Sequence, residues 1–195
     1  MVEALKLTVA TLRGAEIPFL VAGSVAIWAH GGPAPRKDID VMLRPQDAEP
    51  ALQALSDAGM RPERPPEEWL LKAWHEAVLV DVIFCPAGLE MTEEVFERGE
   101  MISIMSVNTP VMSVDDVLVT KLSALSEHAL DYTVLLVLTR AVREQVDWPA
   151  LEARTSHSPF ARAFFTLVRE LGVAPPAPTL PGETPHPRVR VVTGD

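Results

Sequence analysis

Residues 21–43, VAGSVAIWAHGGPAPRKDIDVML, hold the pattern from which the rest of the chain can be read. Asp38 and Asp40 begin the apolar run IDVML, and side chains two apart on a strand point to one face. Asp38 and Asp40 therefore aim together, while Ile39 and Val41 turn the other way into a core. Like charges so placed repel unless a cation lies between them, and hard carboxylate oxygens favour Mg²⁺ or Mn²⁺. Upstream, IPFLVAG reads as a buried strand over 17–22. Gly23-Ser24 then opens a short apolar helix, SVAIWAH, that stops at Gly31-Gly32. Pro33-Ala34-Pro35 cannot continue a helix, so the chain resets before the strand at Asp38. A third carboxylate, Asp81, interrupts the apolar run VLVDVIF at 78–84. Buried and unpaired, it would cost several kcal/mol, so it calls for a metal, a basic partner or an edge position facing solvent.

Working outward, residues 2–13 have helical spacing with Gly14 as the stop. AEPALQALSDAG predicts a helix ending at Gly59, and RPERPPEE a polar loop. WLLKAWHE and AVLVDVIF predict a hairpin turning near Glu76. A short helix over 92–98 and a strand over EMISIMSV follow. Ser113-Val114-Asp115-Asp116 resembles a capping box, opening a helix through Leu125. Helical periodicity persists to about Leu171, in DYTVLLVLTRAVREQV and SPFARAFFTLVREL. After Gly172 the sequence is dense in proline and poor in large apolar side chains, which predicts an extended tail.

The chain has 195 residues, 48% of them hydrophobic, enough for a substantial core. Its 27 Asp and Glu against 17 Lys and Arg give a net charge of -10 and a pI near 5.0. That balance repels phosphate backbones and anionic membranes, and argues against extensive nucleic-acid binding. Cys85 is the only cysteine, so neither an internal disulfide nor a Cys-rich zinc site is available. The N-terminal stretch lacks a basic region followed by an apolar one, and no window is long enough to span a membrane. The expected location is the cytoplasm. Gly31 to Lys37 lacks the ending of a phosphate-binding loop, and the five histidines form no pair at ligand spacing. The four tryptophans read as core or interface residues, with Trp74 beside the hairpin placed to stack on a base.

The ordered set Gly23-Ser24, Asp38-x-Asp40 and Asp81 resembles the nucleotidyltransferase superfamily, with its polymerase-beta-type palm, over roughly residues 15–85. The segment TPVMSVDDVLVTKLSALSEHALDYTVLLVL resembles the second lobe of the AbiEii and MenT-like group. The resemblance implies an α+β fold: a small mixed-sheet palm over 1–110, a helical lobe over 111–172 and a tail over 173–195. It also implies that Asp38, Asp40 and Asp81 are catalytic and bind Mg²⁺ or Mn²⁺, with Asp81 accepting the nucleophile's proton. Gly23, Ser24 and Lys121 would hold the NTP, Ser24 through free N–H groups at a helix start. Asp131 matches an acidic position of the group, although helix N-cap is its simpler role. Two departures stand out. Leu130 replaces the usual basic residue before that acid, and Ala34 to Lys37 replaces the usual Arg-x-Thr before the Asp pair, leaving Arg36 or Lys37 to supply substitute charge.

The resulting expectation is a metal-dependent transfer of an NMP from an NTP to a hydroxyl of tRNA, a protein or a small molecule such as an aminoglycoside. The acidic surface favours the last two acceptors. A toxin–antitoxin setting, with an antitoxin partner, belongs to the same resemblance. The rival reading is a nucleotide-binding or interaction module that keeps the palm without catalysis. The missing Arg-x-Thr motivates it, and the three intact carboxylates oppose it.

Overall fold

The computed structural model describes residues 1–35 and 38–176, so Arg36, Lys37 and residues 177–195 of the expected tail lie outside the described residues. Among the described residues are eight α-helices and a seven-stranded mixed sheet. The strands are β1 (Leu20–Ala22), β2 (Ile39–Met42), β3 (Arg61–Glu63), β4 (Leu70–His75), β5 (Val78–Ile83), β6 (Glu100–Ile104) and β7 (Val107–Val111). Their order across the sheet is β3-β4-β5-β2-β1-β7-β6. β2 runs parallel to β5 and β1 parallel to β7, while the other neighbours are antiparallel.

This register decides what faces what. Ala22 pairs with Asp40, Asp40 with Asp81, Asp81 with Lys72, and Lys72 with Glu63. Paired residues share a face, so these five side chains form one row across the sheet. The alternate residues Ile39, Val41, Val80, Val82 and Ala73 are fully buried on the other face. There α1 (Val2–Gly14) and α3 (Ala48–Asp57) cover them, each with an apolar stripe turned inward. On the row's own face lie α2 (Gly23–Ala29) and α5 (Val114–Ser123), the latter buried along most of its length.

Several elements depart from the sequence expectation. β1 has only three residues, because Pro18 brings no N–H to a ladder. The expected loop RPERPPEE contributes β3, an edge strand tolerant of Pro62. EMISIMSV is not one strand: Met105 and Ser106, at φ 49° and 68°, turn the chain back into β7. A helix not anticipated, α7 (Trp148–Thr155), lies between α6 (Tyr132–Val142) and α8 (Pro159–Glu170), started by Asp147 as cap and Pro149 in its first turn. The remaining helix, α4 (Glu93–Glu97), falls in the expected place. Beyond α8, Gly172 takes φ 65° and the N–H groups of Val173 and Ala174 both donate to the Val168 carbonyl. Both residues are buried, so the packed chain continues past residue 172.

Asp116 holds α5 in place. Fully buried in the first turn, it accepts from Arg98 Nε and Nη2 at 3.0 and 3.1 Å, from Arg154, and from the Ser113 hydroxyl at 2.9 Å. The Ser113 oxygen in turn caps the Asp116 N–H. One carboxylate thereby joins the end of α4, the start of α5 and α7. Burial pushes the Asp116 carboxyl up, but the hydrogen bonds from Arg98, Arg154 and Ser113 outweigh it and hold the group below its ordinary range. Its contribution to stability is therefore full above pH 3.8 and is lost as pH falls through the depressed value. Asp116→Ala should cost about 2–3 kcal/mol in urea unfolding at neutral pH, the two arginines being partly exposed and able to return to water. Wild-type stability measured at neutral pH would rule out the clamp.

Candidate active site

Asp40 and Asp81 lie directly opposite each other on parallel neighbouring strands. What surrounds them explains how two carboxylates are tolerated there. A Cβ on Gly23 would fall 1.6 Å from Asp40 Oδ2, and Gly23 has φ 58°. The carboxylate therefore packs on the bare α-carbon of the one residue type that allows both the contact and the backbone. The Ser24 backbone N–H, expected to hold a phosphate, also favours the charged form of Asp40. Burial raises the Asp40 carboxyl, the Lys121 ammonium lowers it, Asp38 raises it, and the Ser24 N–H lowers it; burial and Asp38 win.

Asp81 lacks such support. Its Oδ1 is buried with no hydrogen-bond partner among the described residues. Burial first, then the charge of Asp40, push its carboxyl up to about 6 against the pull of Lys72 across the β4–β5 pair. Asp38 and Glu63 add smaller upward contributions.

Asp38 stands one residue before β2, exposed, and with Ser24 lines a chamber of about 480 Å³. Asp40 and Lys121 belong both to that chamber and to a second of about 540 Å³ on the side of Met42 and Ile83. Lys121 comes from the last turn of α5, and α6 walls the first chamber with Val134 and Val137. Gly23, Ser24, Asp38, Asp40 and Lys121 thus meet around one cleft, with Asp81 beside Asp40 in the sheet. Asp131 instead caps α6, its Oδ1 accepting from the N–H groups of Thr133 and Val134 at 2.9 and 3.4 Å. Trp74 is committed to β3: its indole N–H donates to Glu63 at 2.7 Å and Arg61 lies over its ring. The aromatic residue at a chamber is Trp69, which is 45% exposed. Its place just before an apolar strand was the available signal, and it reads equally well as core.

Among the described residues no three His, Cys, Asp or Glu side chains form a ready-made metal cage. The row offers two adjacent carboxylates, one with an unpartnered oxygen, and the exposed Asp38 two residues from Asp40. That donor set fits a cation that keeps water and substrate oxygens in its shell, as Mg²⁺ does, rather than one enclosed by protein.

The raised carboxyl at Asp81 has a testable sign. Its contribution to stability is complete below 3.8 and is lost as pH rises through about 6. Asp81→Asn should therefore raise stability by on the order of 1–3 kcal/mol at about pH 8, and the gain should vanish near about pH 4. Thermal melts of both proteins across that range check it, and a gain independent of pH would contradict the assignment.

No protein-family model matches the chain, and neither does any curated protein sequence. Solved structures do resemble it. The solution structure of the antibiotic-resistance factor ANT(2'')-Ia aligns at 13% identity over 86% of this chain and 94% of that one, with a TM-score of 0.61. The crystal structure of ANT(2")-Ia in complex with adenylyl-2"-tobramycin aligns at 15% identity over 85% and 97%, with a TM-score of 0.58. The lincomycin-bound lincosamide antibiotic adenylyltransferase LnuA aligns at 14% identity over 74% and 97%, with a TM-score of 0.53. At such identities the likeness is one of fold: the mixed α+β fold of nucleotidyltransferases. No helix of the described residues is long and apolar enough to cross a membrane.

Proposed function

We propose that this protein is a divalent-metal-dependent nucleotidyltransferase, moving a nucleoside monophosphate from an NTP to an acceptor hydroxyl. The observation that carries the reading is the Asp40–Asp81 pair, held in register beside the meeting point of two chambers with one oxygen unpartnered. A transfer reaction needs two substrates brought together at one atom, and two chambers sharing Asp40 and Lys121 meet that need. The fold shared with adenylyltransferases supports the same chemistry.

In the transfer, the acceptor oxygen bonds to the α-phosphorus as the bond to the β-phosphate oxygen breaks, and pyrophosphate departs. Asp81 is the group we assign to take the hydroxyl proton, a reading supported by its raised carboxyl, at about 6, and its place beside Asp40 in the sheet. Lys121 sets a positive charge against the phosphates from the α5 side, and the Ser24 hydroxyl lines the same chamber as Asp38. Asp40, Asp81 and Asp38 would hold a Mg²⁺ or Mn²⁺ ion, which would neutralise the triphosphate and lower the pKa of the attacking hydroxyl. Arg36 and Lys37, beside Asp38 in sequence, remain the substitutes for the absent Arg-x-Thr. Among the acceptors considered, similarity to proteins that modify antibiotics favours a small molecule over tRNA or protein. The toxin–antitoxin setting and an antitoxin partner rest on the sequence resemblance alone.

Labelled NTPs with Mg²⁺ and a cell extract should yield one labelled acceptor. Asp40→Asn should lower the rate by on the order of a hundredfold or more while the melting profile stays cooperative. Lys121→Ala should weaken NTP binding with little loss of stability. Full transfer by the Asp40→Asn protein would refute the reading, and failure of the wild type to bind any NTP with Mg²⁺ would favour the non-catalytic module.

A further inference from the structure

The two chambers on either side of Asp40 and Lys121 differ in chemistry. The one containing Asp38 and Ser24 has a second carboxylate and a hydroxyl, the groups a metal-bound triphosphate needs. The other, of about 540 Å³, runs between the sheet and α5 from Asp40 towards Met42, Ile83 and Cys85, with the half-exposed Trp69 at its wall. Among the described residues its only charged side chains are Asp40 and Lys121. Its one hydroxyl, on Thr120, already donates to the Val117 carbonyl at 2.9 Å. The volume suits a drug-sized molecule.

We propose that this Trp69-lined chamber is the acceptor site and that it takes an uncharged, largely apolar molecule carrying a hydroxyl, not a polycation. The assignment rests on the transferase reading above. An aminoglycoside would press several ammonium groups against Met42, Ile83 and Pro86, with Asp40 the only carboxylate in the lining and Asp81 beside it, both of which a metal would share. Charges desolvated without partners are rejected strongly, whereas a ring or alkyl body loses little by leaving water and gains the Trp69 face. The acceptor's hydroxyl end then lies towards Asp40 and Asp81, where the proton is removed, and its apolar end towards Cys85.

Cys85, the chain's single thiol, is exposed and lines this chamber, so its alkylation reports occupancy. The full-length protein is treated with N-ethylmaleimide alone, or in the presence of 4-phenyl-1-butanol, tobramycin or Mg²⁺-ATP. The phenylbutanol should slow modification progressively, by about tenfold at about ten times its half-protecting concentration, the fall in free site expected from mass action. Tobramycin and Mg²⁺-ATP should each change it by less than about twofold on the same basis. Trp69→Ala should abolish the phenylbutanol effect, which separates this chamber from the neighbouring groove that Cys85 also borders. Protection by tobramycin, protection by Mg²⁺-ATP alone, no protection by phenylbutanol, or protection that survives Trp69→Ala each overturns the assignment. A parallel titration of each NTP with Mg²⁺ keeps the two ideas apart: failure of all of them to bind sinks the transferase reading, while the alkylation result still decides what the chamber takes.

Discussion

The fold is organised around a repulsion. Two carboxylates occupy opposed positions on adjacent strands, and the charge of Asp40 raises the cost of ionising Asp81. Asp40 is compensated from three directions: a glycine too small to displace it, an N–H at the start of α2, and an ammonium from α5. Asp81 is compensated only by Lys72, one strand further out. Both carboxyls nonetheless stay raised, a cost that a cation between them would relieve.

Placing Lys121 opposite Asp40 requires α5 to be immovable, and α5 is held by charge as well as by apolar packing. The Asp116 cluster fixes its N-terminus to α4 and α7, while the His30 ring nitrogen lies 3.0 Å from the Met112 carbonyl just upstream. Gln145 reaches the His30 carbonyl at 2.8 Å, and the Tyr132 hydroxyl the Phe160 carbonyl at 2.6 Å, so the later helices are tied to α2 and to each other. Each of these bonds is long-range in sequence. A rigid second carboxylate, remote from the chemistry, thus helps set the geometry at the first.

The strand–helix–strand order around Gly23 and Asp40, the β4–β5 hairpin and the capping of α5 were legible because each depends on local periodicity or turn chemistry. Asp131 was readable as a cap for the same reason. β3 and β7 were not, since Pro62 and Pro110 weaken their strand signal and only their partners, Trp74 in β4 and the β6 ladder, draw them into the sheet. The effect of Ser24's N–H on the Asp40 carboxyl was hidden because the two lie sixteen positions apart. Trp69 and Cys85 escaped notice because lining a chamber is a property of the face opposite, supplied by α5, and not of their own segment.

The tight fit of Gly23 under Asp40 implies an order in which a gene of this kind would decay once selection on activity ended. Asp81 contributes strain and nothing visible to the fold, so its codon is free to drift at once, and drift there is favoured by the need to stay folded. Gly23 has no such freedom while Asp40 stays in place, because any side chain would strike that carboxylate. A silent descendant that still carried Asp40 would therefore still carry Gly23, even after losing the third aspartate.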